Sequence, residues 1–409
     1  MFHRNLSAIK AKLEHQGYYV VMSSDVPRRV YAIQLNNQLG EGSYGSVYQA
    51  YHVNTQTGLV DLSQPLAVKL VLMRDLNFDK KIALLQEIEN EIRIQNAYYP
   101  PAKLITSSCH YYIFMSYLPG EDLFQFDDNI LKKAEMLKTF SFEDRLTSLT
   151  QIALQVNLFH HHTPTTHEAI CHGDLKGENI RISKQSGVLQ TYIYDFGLSD
   201  SIISLEKAFN KNNKTTIRGT PIYMPKESVN TRGTFTDIFS LTPVFALILG
   251  ADNPFSKRSE ADNFDDVTSL PFVYDDLLVS RIVPASKYID MKRLLFDFLN
   301  RMQHDDFRCR PSSDNVLRFC NTLRLHWRLE NKKDLDVDDQ DQLFYYEREL
   351  NKLTDSYKDM VIEDTLSFDN IGYHASPDSG ARLFKSRSVS DKRDDQSLND
   401  VPRFSMNQS

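Results

Sequence analysis

Fifteen glycines are spread thinly over 409 residues, yet three of them, Gly40, Gly42 and Gly45, fall within six positions. They belong to Gly40-Glu-Gly42-Ser-Tyr-Gly45-Ser-Val47, which lies between two strand-like runs, Tyr31-Ala-Ile-Gln-Leu35 and Ser46-Val-Tyr-Gln-Ala-Tyr51. Glycine turns sharply and lets backbone N–H groups approach an anion. The pattern predicts a tight hairpin with an anion-accessible tip. A dinucleotide turn with the same three glycines would open a helix; here a second strand follows.

Strand signals continue through Leu66-Ala-Val-Lys-Leu-Val71 and Tyr111-Tyr-Ile-Phe-Met115, interrupted by one helix over about 80–96 that ends before Pro100-Pro101. From Leu123 onward helical periodicity dominates. Ser141 with Asp144 three residues later is an N-cap signature for a helix reaching about His160. A small β-rich lobe before a larger helical one is an α+β arrangement. Leu6, Ile9 and Leu13 form a short helical stripe ahead of it. After about residue 330 the chain turns acidic (334–342), and 343–364 reads as one polar helix. Residues 366–409 hold nine serines, six acids and six bases. They cannot bury enough apolar surface to offset their ordering entropy, which predicts disorder. The expected segments are an N-terminal helical extension (1–28), a small lobe (29–117), a large lobe (118–330), an acidic linker and helix (331–365) and a disordered tail (366–409).

Other function classes are excluded by composition. The net charge of −7 argues against the broad basic face of a general nucleic-acid binder. The longest apolar run, Leu241–Leu249, is half a membrane span and carries Pro243. The N-terminus lacks an apolar signal core. Four dispersed cysteines without a CxxC pair fit reduced thiols in a cytoplasm rather than a disulfide scaffold.

The chemistry concentrates in three segments. Lys69 sits in the apolar strand Ala67-Val68-Lys69, where an ammonium is costly unless it meets anions. Phosphates and a carboxylate from the 80–96 helix would satisfy it, with Glu87, Glu89 and Glu91 competing. Cys171-His-Gly-Asp174-Leu-Lys176-Gly-Glu-Asn179-Ile180 comes next, then Asp195-Phe-Gly197 after another apolar strand. Two carboxylates and an amide on adjacent loops suit phosphoryl transfer. One Asp takes a hydroxyl proton, the other Asp and the Asn hold magnesium, and Lys176 neutralises the transferring group.

Together these segments resemble the protein kinase family, serine/threonine type, from about residue 32 to 325. Later landmarks agree. Arg218-Gly-Thr220-Pro-Ile-Tyr223-Met-Pro-Lys-Glu227 resembles the end of an activation segment, Thr236-Asp237 the buried helix after it, and Arg310-Pro311 the late pair whose Arg meets Glu227. The resemblance implies a bilobal fold and ATP with Mg²⁺ as cofactors. It makes Asp174 the catalytic base, Lys69 the ligand of the α/β-phosphates with Glu91 as its best partner, and Asn179 and Asp195 the metal ligands. Gly40, Gly42 and Gly45 would cover the phosphates; Met115 would be the gatekeeper, with Ser116 to Leu118 as the hinge. Asp122 would face the ribose, and Val47, Ala67 and Ile182 would sandwich the adenine. Lys176 and Thr220 favour Ser/Thr acceptors on protein substrates, and Glu178 with the acidic surface favours basic residues near the acceptor.

The sequence also departs from the family. Gly173 stands where an Arg normally grips an activation-segment phosphate, here on Thr215 or Thr216. Pro225-Lys226 replaces Ala-Pro before Glu227, and Gln95 follows Glu91 where an apolar side chain is expected. Two other readings remain: a pseudokinase binding module, and a small-molecule phosphotransferase of the aminoglycoside/choline kinase type, which shares His-Gly-Asp but lacks the segment from Asp195 to Glu227. His160-His-His162 with His167 and Cys171 reads as the end of a helix, not a metal cluster. Asp334, Asp336 and Asp338 lack the Gly and Glu of a calcium loop. The chain is expected to be monomeric, to bind no nucleic acid and to have no membrane span. Its polar composition resembles bacterial effector kinases delivered into a host cytoplasm without a signal peptide; a divergent eukaryotic kinase is the other reading of its origin.

Overall fold

The computed structural model describes residues 2–25, 27–42, 45–73, 77–107, 110–127, 130–161, 168–210, 218–229, 231–261, 263–274 and 282–355. Contacts divide the chain into two units, Met1–Ala134 with Phe159–Ile202, and Glu135–Leu158 with the chain from Ile203 onward. The first is β-rich and the second helical, the α+β class expected from the sequence.

In the first unit, α1 (Phe2–His15) leads into β1 (Tyr19–Met22), β2 (Val30–Gly42), β3 (Gly45–Val53) and β4 (Val60–Leu72). Helix α2 (Phe78–Tyr98) and strands β5 (Lys103–Thr106) and β6 (His110–Ser116) follow. The strands form one antiparallel sheet in the order β1-β2-β3-β4-β6-β5. Side chains alternate across a strand, so register sorts them onto two faces. Tyr31, Ile33, Ala50, Leu66, Val68 and Phe114 form a core on one face. Beside it Tyr19, Tyr48, Leu70 and Tyr112 border an apolar cavity of about 210 Å³. The other face carries Ala32, Val47, Ala67, Lys69 and Val71. There α1 buries Leu6, Ile9 and Leu13 against Val20, Val30, Ala32 and Val53. Further along, α2 sets Ile88 against Val71, Met73 and Ile113.

Short strands complete the unit: β7 (Glu121–Asp122), β8 (Phe124–Asp127), β9 (Ile130–Lys133), β10 (Ile170–Cys171), β11 (Ile180–Gln185), β12 (Val188–Ile193) and β13 (Asp200–Ser201). β11 lies between β12 and β7, β8 pairs with β9, and β10 pairs with β13.

The second unit is built from α3 (Phe142–His160), α4 (Ile202–Asn210), α5 (Thr234–Ile248), α6 (Phe264–Ser269), α7 (Met291–Met302), α8 (Ser313–Glu330) and α9 (Val337–Asp355). The α3 cap forms as its sequence predicts: Asp144 N–H donates to Ser141 Oγ at 3.1 Å, and Ser141 N–H to the Asp144 carboxylate at 3.0 Å. Phe235 to Ile248 of α5 are all buried, and the Ser240 hydroxyl donates to the Tyr223 carbonyl at 3.0 Å. Among the described residues no helix is long and apolar enough to cross a membrane.

The outlines differ from expectation in two places. The N-terminal extension is a helix plus a strand, because Tyr19–Met22 pairs with β2. The acidic stretch is not all linker. α9 begins at Val337, Asp339 N–H donates to Asp336 Oδ1 at 2.8 Å, and Asp338 and Asp339 lie in the first turn, where acids complement the helix dipole. The expected disordered tail falls on residues outside those described, as do Cys109, His162, His167, Thr215 and Thr216.

Candidate active site

Lys69 is the centre of the site. The β3–β4 register places it opposite Val47, and the β4–β6 register places Ala67 opposite Met115. Its ammonium lies 3.0 and 3.1 Å from the two Glu91 carboxylate oxygens and 3.6 Å from Asp195 Oδ1. Of the three glutamates it is Glu91 that meets Lys69; it is buried and carried by a helix capped by the Asn77 side chain. Gln95, one turn on, is buried as well. Burial works against the charge on Lys69, but Glu91 and then Asp195 outweigh it and hold its pKa above the ordinary lysine range. Burial also pushes Glu91 up, in spite of Lys69. Asp195 goes the other way: burial is overcome by Lys69, His172 and the Gly197 N–H, which together lower it.

The glycine hairpin closes over the same strands, with Gly40 opposite Val47 and Gly42 opposite Gly45. A Cβ on Gly45 would stand 1.9 Å from the Leu70 carbonyl oxygen, and its φ is +152°. This glycine is required by strand packing itself, because only a bare Cα fits there.

Asp174 is held from two sides. Asn179 Nδ2 donates to its carbonyl at 2.8 Å and to its carboxylate at 3.3 Å, and Lys176 Nζ lies 3.1 Å from the same carboxylate. The preceding Gly173 has φ +78°, a left-handed conformation in which an L side chain is strained. The loops are stitched together by backbone. Tyr194 N–H donates to the Asn179 carbonyl at 3.0 Å, and His172 Nε2 to the Tyr194 carbonyl at 3.1 Å. Asp195 itself has φ +65°, an uncommon value for a non-glycine residue and one that clusters at functional sites. Its side chain keeps 44% of its surface exposed. Phe196 beside it is fully buried among Tyr98, Phe159 and His172. α2 is tied to this region twice more: Asn90 Nδ2 donates to the Ser199 carbonyl at 3.1 Å, and Arg93 to Glu168 at 2.7 Å.

Beyond Met115, Ser116 Oγ donates to the Pro100 carbonyl at 2.8 Å, and Leu118 is buried. Asp122 lies opposite Arg181 in the β7–β11 pair. Its Oδ1 accepts from the Tyr194 hydroxyl at 3.0 Å, with Arg181 Nε 3.4 Å away. Ile182 is fully buried, and strand alternation turns it to the face opposite Arg181, which shares the face of Asp122.

Among the described residues no three His, Cys, Asp or Glu side chains gather as a metal cluster.

In the helical unit, Arg310 makes a two-pronged ion pair with Glu227, as the late Arg-Pro signature implied. The sequence reading missed Arg258, whose setting, Ser-Lys-Arg-Ser-Glu, looks like surface. It is 1% exposed, and its guanidinium donates to the carbonyls of Ile222 and Met224 at 2.9 Å, Leu270 at 2.7 Å and Thr268 at 3.3 Å. The Phe239 ring lies 5.1 Å from Arg258 and 4.7 Å from Arg310. Arg258 therefore fixes the turn between Thr220 and Glu227 by its backbone.

The family model for the protein kinase domain matches residues 33–319. The titin homolog of Caenorhabditis elegans is 25% identical over 289 residues, 69% of this chain and 1% of its own length. The meiosis-specific serine/threonine-protein kinase of Saccharomyces cerevisiae is 27% identical over 195 residues, 47% of this chain and 35% of its own. Myosin light chain kinase A of Dictyostelium discoideum is 24% identical over 304 residues, 71% of this chain and 92% of its own. The chain thus spans only a fraction of the first two relatives. The matched region includes the segments of Lys69, Asp174, Asn179 and Asp195 and well over half of the sequence, and the chain belongs to the protein kinase family.

Proposed function

We infer that the protein is a serine/threonine protein kinase that uses ATP and Mg²⁺. The observation that carries this reading is the shared position of Lys69, 3.0 Å from Glu91 and 3.6 Å from Asp195. One cation among two carboxylates leaves a negative surplus on the partly exposed Asp195, which suits a divalent cation. Asn179 spends its Nδ2 on Asp174, which leaves its amide oxygen as the hard oxygen that would hold the ion together with Asp195. The residues present therefore fit the metal, and Lys69 under the glycine hairpin fits a polyphosphate.

When bound, ATP would supply the phosphoryl group and Mg²⁺ would spread its charge. The chain's own groups do the rest. Glu91 keeps Lys69 extended toward the phosphates. Asp174, fixed by Asn179, orients the acceptor hydroxyl and takes its proton. Lys176 offsets negative charge beside that carboxylate. Asp122 lies where the sugar of the nucleotide is expected. The acceptors are serine and threonine on proteins, with basic neighbours favoured by Glu178.

Incubating the purified chain with radiolabelled ATP, Mg²⁺ and a generic basic protein tests the reading. Acid-stable label on serine or threonine is expected, and it should vanish with Asp174→Ala. No transfer by the unmodified protein would overturn it.

A further inference from the structure

The Tyr194 side chain is used by none of the chemistry above, yet it is held from two sides. Its hydroxyl donates to Asp122 Oδ1 at 3.0 Å and lies 2.5 Å from the Glu178 carbonyl oxygen. Arg181 braces the same carboxylate, with Nε 3.4 Å from Asp122 Oδ1 and a guanidinium N–H donated to the Gly120 carbonyl at 2.6 Å. That Nε is buried and makes no hydrogen bond, so its approach to Asp122 is an ion pair only. The Asp122 side chain retains just 17% of its surface.

A carboxylate and a backbone carbonyl converging on one hydroxyl form an acceptor pair suited to a sugar hydroxyl. Here the protein supplies that hydroxyl itself, one residue before Asp195. We propose that the Tyr194 hydroxyl occupies the place of a ribose hydroxyl at Asp122, so that the kinase holds the phosphates of its nucleotide without reading the 2′- and 3′-hydroxyls. The proposal rests on the kinase reading above and makes Tyr194 a determinant of nucleotide specificity. The substrate class widens to nucleoside triphosphates lacking ribose hydroxyls.

Calorimetric titration of the full chain with Mg²⁺-ATP and with Mg²⁺-2′,3′-dideoxy-ATP is the test. The two should bind the unmodified protein within about threefold of each other, because no hydrogen bond to a charged acceptor is lost with the sugar hydroxyls. Tyr194→Phe keeps the ring and frees the acceptors. ATP should then bind more tightly and be preferred by about tenfold or more, the discrimination available to a site that hydrogen-bonds a substrate hydroxyl. Adding Asp122→Ala to Tyr194→Phe should erase that preference. A tenfold preference for ATP in the unmodified protein, or a ratio unchanged by Tyr194→Phe, would overturn the proposal while leaving the kinase reading intact. If neither nucleotide binds a protein that melts cooperatively, both fall.

Discussion

Two charge clusters use similar ingredients to opposite ends. In the β-rich unit one cation, Lys69, meets two carboxylates, Glu91 and Asp195. In the helical unit one carboxylate, Glu227, meets Arg310, and Phe239 lies between that arginine and a second, Arg258. The first cluster carries a negative surplus on a side chain 44% exposed. The second carries a positive surplus, but the surplus is closed in. Arg258 spends its donors on four carbonyls and lays its plane 4.2 Å from the Phe272 ring. Charge left unbalanced and open is available to a ligand; charge unbalanced but enclosed by dipoles and aromatic faces is part of the scaffold.

Breaking each cluster should therefore give different phenotypes. The largest effect is on turnover: Asp174→Ala and Asp195→Ala should each lower kcat by at least about 10²-fold, the scale for losing a positioned proton acceptor or a charge-neutralising group. Asp195→Ala leaves Lys69 and Glu91 paired, so its melting temperature should stay close to that of the unmodified protein. A variant that unfolds would erase the contrast.

Arg310→Ala should do the reverse. It strands Glu227, at a cost of about 3–5 kcal/mol for a broken buried pair. In a domain of this size the melting temperature should fall by roughly 6 °C or more. Calorimetry showing a drop of under about 2 °C would mean that the pair is not structural.

The pH dependence sharpens the first cluster. Glu91 sits above its ordinary range and Asp195 below it, so on acidification the proton reaches Glu91 first. The raised Glu91 favours the folded state at acid pH and loses that contribution as pH rises through its folded pKa. The depressed Asp195 favours folding at neutral pH and loses its contribution as pH falls through its own. The acid limb of kcat/KM should thus lie above the ordinary glutamate range, and Glu91→Gln should move it to lower pH. An acid limb unchanged by Glu91→Gln would assign it elsewhere.

The smallest effect belongs to a surface pair. Arg328 and Glu143 are 45% and 33% exposed. Urea unfolding of Arg328→Ala should register less than about 1 kcal/mol, as solvent-screened pairs do.

The parts of the site that were legible in sequence are those whose side chains conflict with their local setting. Lys69 in an apolar strand needed an anion, and the helix that follows offered Glu87, Glu89 and Glu91. The Ser141–Asp144 cap and the alternation of Leu66 to Val71 were legible because each is decided within a few residues. What was not legible depends on partners distant in sequence. β1 is four residues long and becomes a strand only because Val30 to Ile33 pair with it. Arg258 looks like surface until the carbonyls of Ile222 and Met224 arrive from another element. Arg181 looks like a surface residue of β11 until its register with Asp122 is known. The start of α9 was hidden because Asp338 and Asp339 read as solvated charge rather than as a first helical turn.

The family match starts at residue 33 and stops at 319, but the packing does not. Leu6, Ile9, Leu13 and Val20 cover Val53 and the start of β2. At the far end α9 buries Leu343, Leu350 and Leu353, and Arg301 donates to the Leu353 carbonyl at 2.9 Å. A chain trimmed to the matched limits would lose α1, β1 and the head of β2, along with more than half of α8 and all of α9, and would lay apolar surface bare at both ends. The stretch that is inherited and the stretch that must fold together are different lengths of the same polypeptide, and the second is the longer.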